Sequence, residues 1–140
     1  MLKPKVIDKL IKINQESLDQ KIKEKSDQEI VVAELQNNID RIASEIESEK
    51  AAATQNPEIT YAFQNYYLHA KRKLLELAAQ LTLEQLRLDS IIEELKIIHV
   101  EISKYEHLKD KLKLEFLAAE AKREAKIIDE FNIINTIPQK

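Results

Sequence analysis

Glu106, His107 and Asp110 are of types that ligate divalent metals, and on a helix they would set one imidazole and two carboxylates on neighbouring faces. The same spacing arises by chance in a chain of which 34% is charged. His69 and His99 stand too far off to complete a zinc site, and no HExxH occurs. Ser17, Ser26, Ser44, Ser48, Ser90 and Ser103 have no histidine at the spacing that marks a nucleophile and its base. The absence of cysteine removes thiolate ligands, disulfides and a cysteine nucleophile. The absence of glycine removes the loops that cradle phosphates. The expectation is a protein that is not an enzyme, with no catalytic residues, no cofactor and no metal.

The elements that would have to position any site are helices. Seventeen positions spaced alternately four and three apart run from Phe63 to Ala119, and fifteen are apolar. They are Phe63, Tyr67, Ala70, Leu74, Leu77, Leu81, Glu84, Leu88, Ile91, Leu95, Ile98, Ile102, Tyr105, Lys109, Leu112, Phe116 and Ala119, interrupted at Glu84 and Lys109. A sustained 3.5 spacing keeps one stripe on a partner helix only if the two supercoil, so this is a coiled-coil seam. A first seam reads Ile7, Ile11, Asn14, Leu18, Lys21, Lys25, Gln28, Val32, Leu35, Ile39, Ile42, Ile46, Glu49 and Ala53, polar from Lys21 to Gln28.

Between the seams stands Thr54-Gln55-Asn56-Pro57. Proline suits the first position of a helix and pushes the residue before it out of helical geometry, as an N-cap must be, and asparagine is a preferred N-cap. The fold class expected is therefore all-α, a long antiparallel two-helix coiled-coil hairpin with an overhanging C-terminal helix. Residues 1–140 form one such hairpin, with helix one at about 5–53, a turn at 54–56 and helix two at about 57–134. At ~1.5 Å per residue the helices measure roughly 75 and 115 Å, so helix two overhangs by roughly 40 Å. Facing residues should have numbers summing to near 110, which places Lys25 opposite Glu84, as a paired polar layer or as two unrelated solvated groups. The rival arrangement is one kinked helix in a parallel dimer, opposed by the missing N–H and the clash at Pro57.

Net charge is −3, distributed unevenly. Residues 1–25 carry +3, residues 26–60 carry −6 and residues 104–126 carry +2. In a hairpin this gives basic and acidic ends, which steer docking or simply solvate the helix faces. No segment has the apolar length of a signal peptide or a membrane span, so a soluble intracellular protein is expected, with no nucleic-acid partner and no direct membrane insertion. On its own the chain is expected to be a monomer.

Two surface features remain. Tyr61, Phe63, Tyr66 and Tyr67 gather just past the turn, and Tyr61 and Tyr66 lie off the seam. They offer an interaction surface or they seal the tip. From Glu120 onward the seam positions turn charged (Arg123, Lys126, Glu130), while apolar groups move to Ile127, Phe131 and Ile134. A helix with a new apolar stripe either frays or lays it in a partner's groove.

Residues 107–136, HLKDKLKLEFLAAEAKREAKIIDEFNIINT, resemble the C-terminal signature of the FliJ-type proteins of flagellar type III export. The leucine- and alanine-rich turn is matched by Phe116-Leu117-Ala118-Ala119-Glu120, the basic residues by Lys122 and Arg123, and the ending by Lys126-Ile127-Ile128-Asp129-Glu130-Phe131. Gln80-Leu81-Thr82 and Arg87-Leu88-Asp89 fall in register upstream. The resemblance covers most of helix two; over helix one it is a matter of periodicity. It implies a cytoplasmic stalk at the inner face of the membrane export apparatus, docking its paired termini in a hexameric export ATPase and linking that ring to a membrane export-gate protein. Export chaperones would be further partners. Carried over residue by residue, the ATPase contact would involve Ile7, Leu10, Ile11, Arg123, Lys126, Asp129, Glu130 and Phe131. The gate contact would fall on Tyr66, Ala70, Lys73 and Leu77, although Lys73 stands where an apolar residue is expected and Ala70 and Leu77 are seam positions. The alternative functions are a coiled-coil scaffold or tether without an ATPase partner and a central stalk of a rotary proton-pumping ATPase.

Overall fold

Between Pro4 and Pro57, and again from Pro57 to Pro138, nothing in the chain interrupts a helix, and Leu, Ile, Lys, Glu, Gln and Ala favour one. A computed structural model, which describes residues 3–56, 58 and 60–136, has α1 at Pro4–Gln55 and α2 at Thr60–Thr136. The two long helices pack against each other as an all-α hairpin, with no strand among the described residues. Pro4 opens α1, where its missing N–H costs nothing.

The turn is built from side-chain hydrogen bonds, because neither helix has a favourably charged end there: α1 has no base in its last turn and α2 no acid in its first. Thr54 Oγ1 donates to the carbonyls of Ala51 at 2.8 Å and Lys50 at 3.3 Å. The Asn56 amide donates to the Ala53 carbonyl at 3.4 Å. Asn56 Oδ1 accepts the N–H of Glu58 at 3.2 Å, an asparagine side-chain turn just ahead of α2. Pro57, the expected first residue of helix two, lies outside the described residues, and regular helix starts at Thr60.

Burial follows the 3.5 spacing. On α2 every seam position from Phe63 to Tyr105 is buried or half-buried. On α1 the same holds from Ile7 to Ile46 and at Ala53, with Glu49 exposed. Lys109, Phe116 and Ala119 on α2 are exposed.

The chain divides into two compact units, Leu18–Ile97 and Met1–Ser17 with Ile98–Lys140. In the first, Leu18, Leu35, Ile46, Ala53, Ala70 and Leu77 are buried. Among them sits a polar layer. Gln28, 7% exposed, donates from Nε2 both to the Glu84 carbonyl at 2.9 Å and to Glu84 Oε2 at 2.5 Å. One amide thus meets the seam's carboxylate and the backbone of the same residue. Lys21 makes a second cross-helix link, pairing with Glu94 and, at 3.0 Å, with Glu24. In the other unit Ile7 and Ile102 are the most deeply buried apolar side chains, and Lys109 pairs with Asp8 at 2.7 Å.

The expected register is corrected by about one turn of α1. Glu84 meets Gln28 rather than Lys25, and Lys25 turns along its own helix to Glu29 at 3.6 Å. The physical reason is hydrogen-bond geometry: the Gln28 amide reaches both the carbonyl and the carboxylate of Glu84, while the Lys25 ammonium finds a carboxylate on its own helix.

Gln28→Ala should therefore lower stability by about 1–3 kcal/mol in urea unfolding, since it removes the buried donor to the Glu84 carboxylate and carbonyl and leaves the carboxylate the longer contact with Arg87 at 3.4 Å. Lys25→Glu should change it by no more than about 0.5 kcal/mol. The reverse order of these two effects would overturn the register assigned to the layer.

Candidate functional site

The three residues with metal-ligating character separate once they are on a helix. Glu106 and Asp110 border the groove between α1 and α2, while His107 shares a different face with Val100, Ser103 and Lys104. Among the described residues no group of three or more His, Asp or Glu side chains is placed to hold a metal ion. Ser103 Oγ donates to the His99 carbonyl at 3.1 Å, the ordinary back-bond of a serine inside a helix.

The pronounced concavity lies where α1 begins. A groove of about 830 Å³ has Ile7 and Ile11 on one side and Leu112 and Phe116 on the other, rimmed by Asp8, Lys109, Asp110 and Lys113. It exists because the seam residues continue along α2 to Phe116 while α1 ends at Pro4, so the last apolar positions have company on one side only. Asp8 and Lys109 close its rim. The hydrogen bond from Lys109 to Asp8 and the attraction of that carboxylate raise the lysine above its ordinary 10.5, against the cost of desolvation. In the other unit Lys21 is raised likewise, first by its hydrogen bond to Glu94 and then by that to Glu24.

Beyond Phe116, residues 117–135 of α2 are all exposed, having no stretch of α1 beside them. Ile127, Ile128, Phe131 and Ile134 are each 58–67% exposed, beside Arg123, Lys126, Asp129 and Glu130. A helix that presents large apolar groups among charges of both signs has the composition of a docking face.

The residues expected to meet an ATPase thus divide. Arg123, Lys126, Asp129, Glu130 and Phe131 share the exposed extension, Ile11 is half-buried in the groove wall, Leu10 is half-buried, and Ile7 is fully enclosed. All belong to the unit Met1–Ser17 with Ile98–Lys140. The residues expected at an export gate belong to the unit Leu18–Ile97. There Ala70 and Leu77 are buried in the seam, Tyr66 is half-buried and Lys73 is exposed, so the four do not share one accessible face.

Near the turn the aromatic cluster is ordered around Phe63. Its ring centre lies 6.4 Å from that of Tyr66 and 5.9 Å from that of Tyr67, both tilted. Lys71 Nζ lies 5.4 Å from the Tyr67 ring centre and 3.2 Å from its hydroxyl. Tyr61 stands out at 78% exposed. Sequence reasoning missed the Asp8–Lys109 and Lys21–Glu94 pairs. Their signal was present in Lys109 and Lys21, the charged members of otherwise apolar seams.

The chain matches no protein-family model, and no curated protein or solved structure shows significant similarity to it.

The Asp8–Lys109 pair has a definite pH dependence. A lysine raised in the folded state contributes stability in full below its unfolded value of 10.5 and loses it as pH rises through the folded value. Thermal melting should therefore hold steady below about pH 10 and decline above it, and Lys109→Met should flatten the decline. An identical high-pH decline in the variant would show that Lys109 has no part in it.

Proposed function

We propose that the chain is a cytoplasmic stalk component of a flagellar type III protein export apparatus, which docks its terminal region in a hexameric export ATPase and links that ring to the membrane export gate. The observation that carries this reading is the extension of α2. Its large apolar side chains stand in water along a helix with no α1 beside it, in the segment whose sequence resembles the FliJ-type signature. A helix of this kind fits a groove or pore lined by apolar and oppositely charged groups, where Phe131, Ile127 and Ile128 are buried and Arg123, Lys126, Asp129 and Glu130 set the orientation. The groove at Ile11 and Phe116 extends the apolar surface towards the N-terminus of α1. Ile7 contributes from within, by holding the groove wall. On the gate side Tyr66 and Lys73 are the members of the expected set with surface to offer, and Ala70 and Leu77 hold the seam behind them.

In this reading the protein performs no chemistry of its own and transmits the ATPase state through a packed helical pair, with export chaperones as candidate further partners. No helix among the described residues is long and apolar enough to cross a membrane, so contact with the gate would run through a cytoplasmic domain of the gate protein.

Turnover of the host's export ATPase should rise on addition of the protein and fall back to the unassisted rate with a variant truncated after Phe116. In the full chain, Phe131→Ala should weaken ATPase association by about tenfold or more, the scale of an aromatic anchor, while the helical circular dichroism stays unchanged. Equal stimulation by the truncated and full chains would remove the extension from the mechanism.

A further inference from the structure

We draw no further inference here: the strongest candidate, the exposed apolar patch of Leu68, Leu75, Leu83, Leu86 and Ile97 on the side of α2 away from the seam, carries nothing because nothing in the structure shows what covers it.

Discussion

Two helices joined by a 3.5-spaced seam can slide past one another by seven residues and still set apolar on apolar, so something other than hydrophobic burial must fix their register. In the unit Leu18–Ile97 the Gln28–Glu84 layer does so. A heptad slip would carry Gln28 against an aliphatic seam position and leave its amide buried without a partner, at about 1–3 kcal/mol. The same slip would place the Glu84 carboxylate against a different seam residue of α1. The layer adds little net stability, because both groups were well hydrated in the unfolded chain. Its contribution lies in the difference between the correct pairing and its neighbours. The other unit carries a separate lock in Asp8 and Lys109, made at the solvent edge, where an ion pair is easily formed and of small value.

This division explains what could be read from the residues and what could not. The seam was legible almost position by position, because burial along a helix follows spacing, and spacing is written in the sequence. The turn at Asn56 was legible for a similar local reason, since its bond to Glu58 involves residues two apart, though regular helix begins at Thr60. The partner of Glu84 was not. Charge pairing favours Lys25, whereas the amide of Gln28 reaches both the carbonyl and the carboxylate of Glu84. That fit depends on the axial register of the two helices, which periodicity leaves undetermined to within a turn. The expected gate residues show the same gap between family pattern and placement: Ala70 and Leu77 fit a sequence register, yet that register is the one α1 covers.

The two helices are not equivalent. α1 exposes five large apolar side chains, Val6, Ile13, Ile22, Ile30 and Val31, whereas α2 exposes fifteen among its described residues, on more than one side. A helix apolar on several sides needs several neighbours. α1 supplies one of them, along the seam. On the side away from the seam Leu68, Leu75, Leu83, Leu86 and Ile97 stand exposed among charges of both signs. Beyond Phe116 the extension mixes exposed isoleucine and phenylalanine with Arg123, Lys126, Asp129 and Glu130.

The form of the extension bears on how it can bind. A separate helix of some twenty residues would be marginal in water, because its first turn must be nucleated at a large entropic cost. Here nucleation has already occurred in the packed part of α2, and residues 117–136 need only propagate it. Most of the ordering cost of a docking segment is thereby met before the partner arrives, unlike the case of a disordered tail that folds on contact. In the stalk reading, burial of Phe131 and its neighbours would then appear as affinity and would not be consumed in making the helix. A continuous helix also carries position, so in that reading a change in the ATPase's grip on Phe131 would displace Phe116 and the groove wall with it. Coupling of that kind requires the unbroken backbone that the absence of glycine and of internal proline permits.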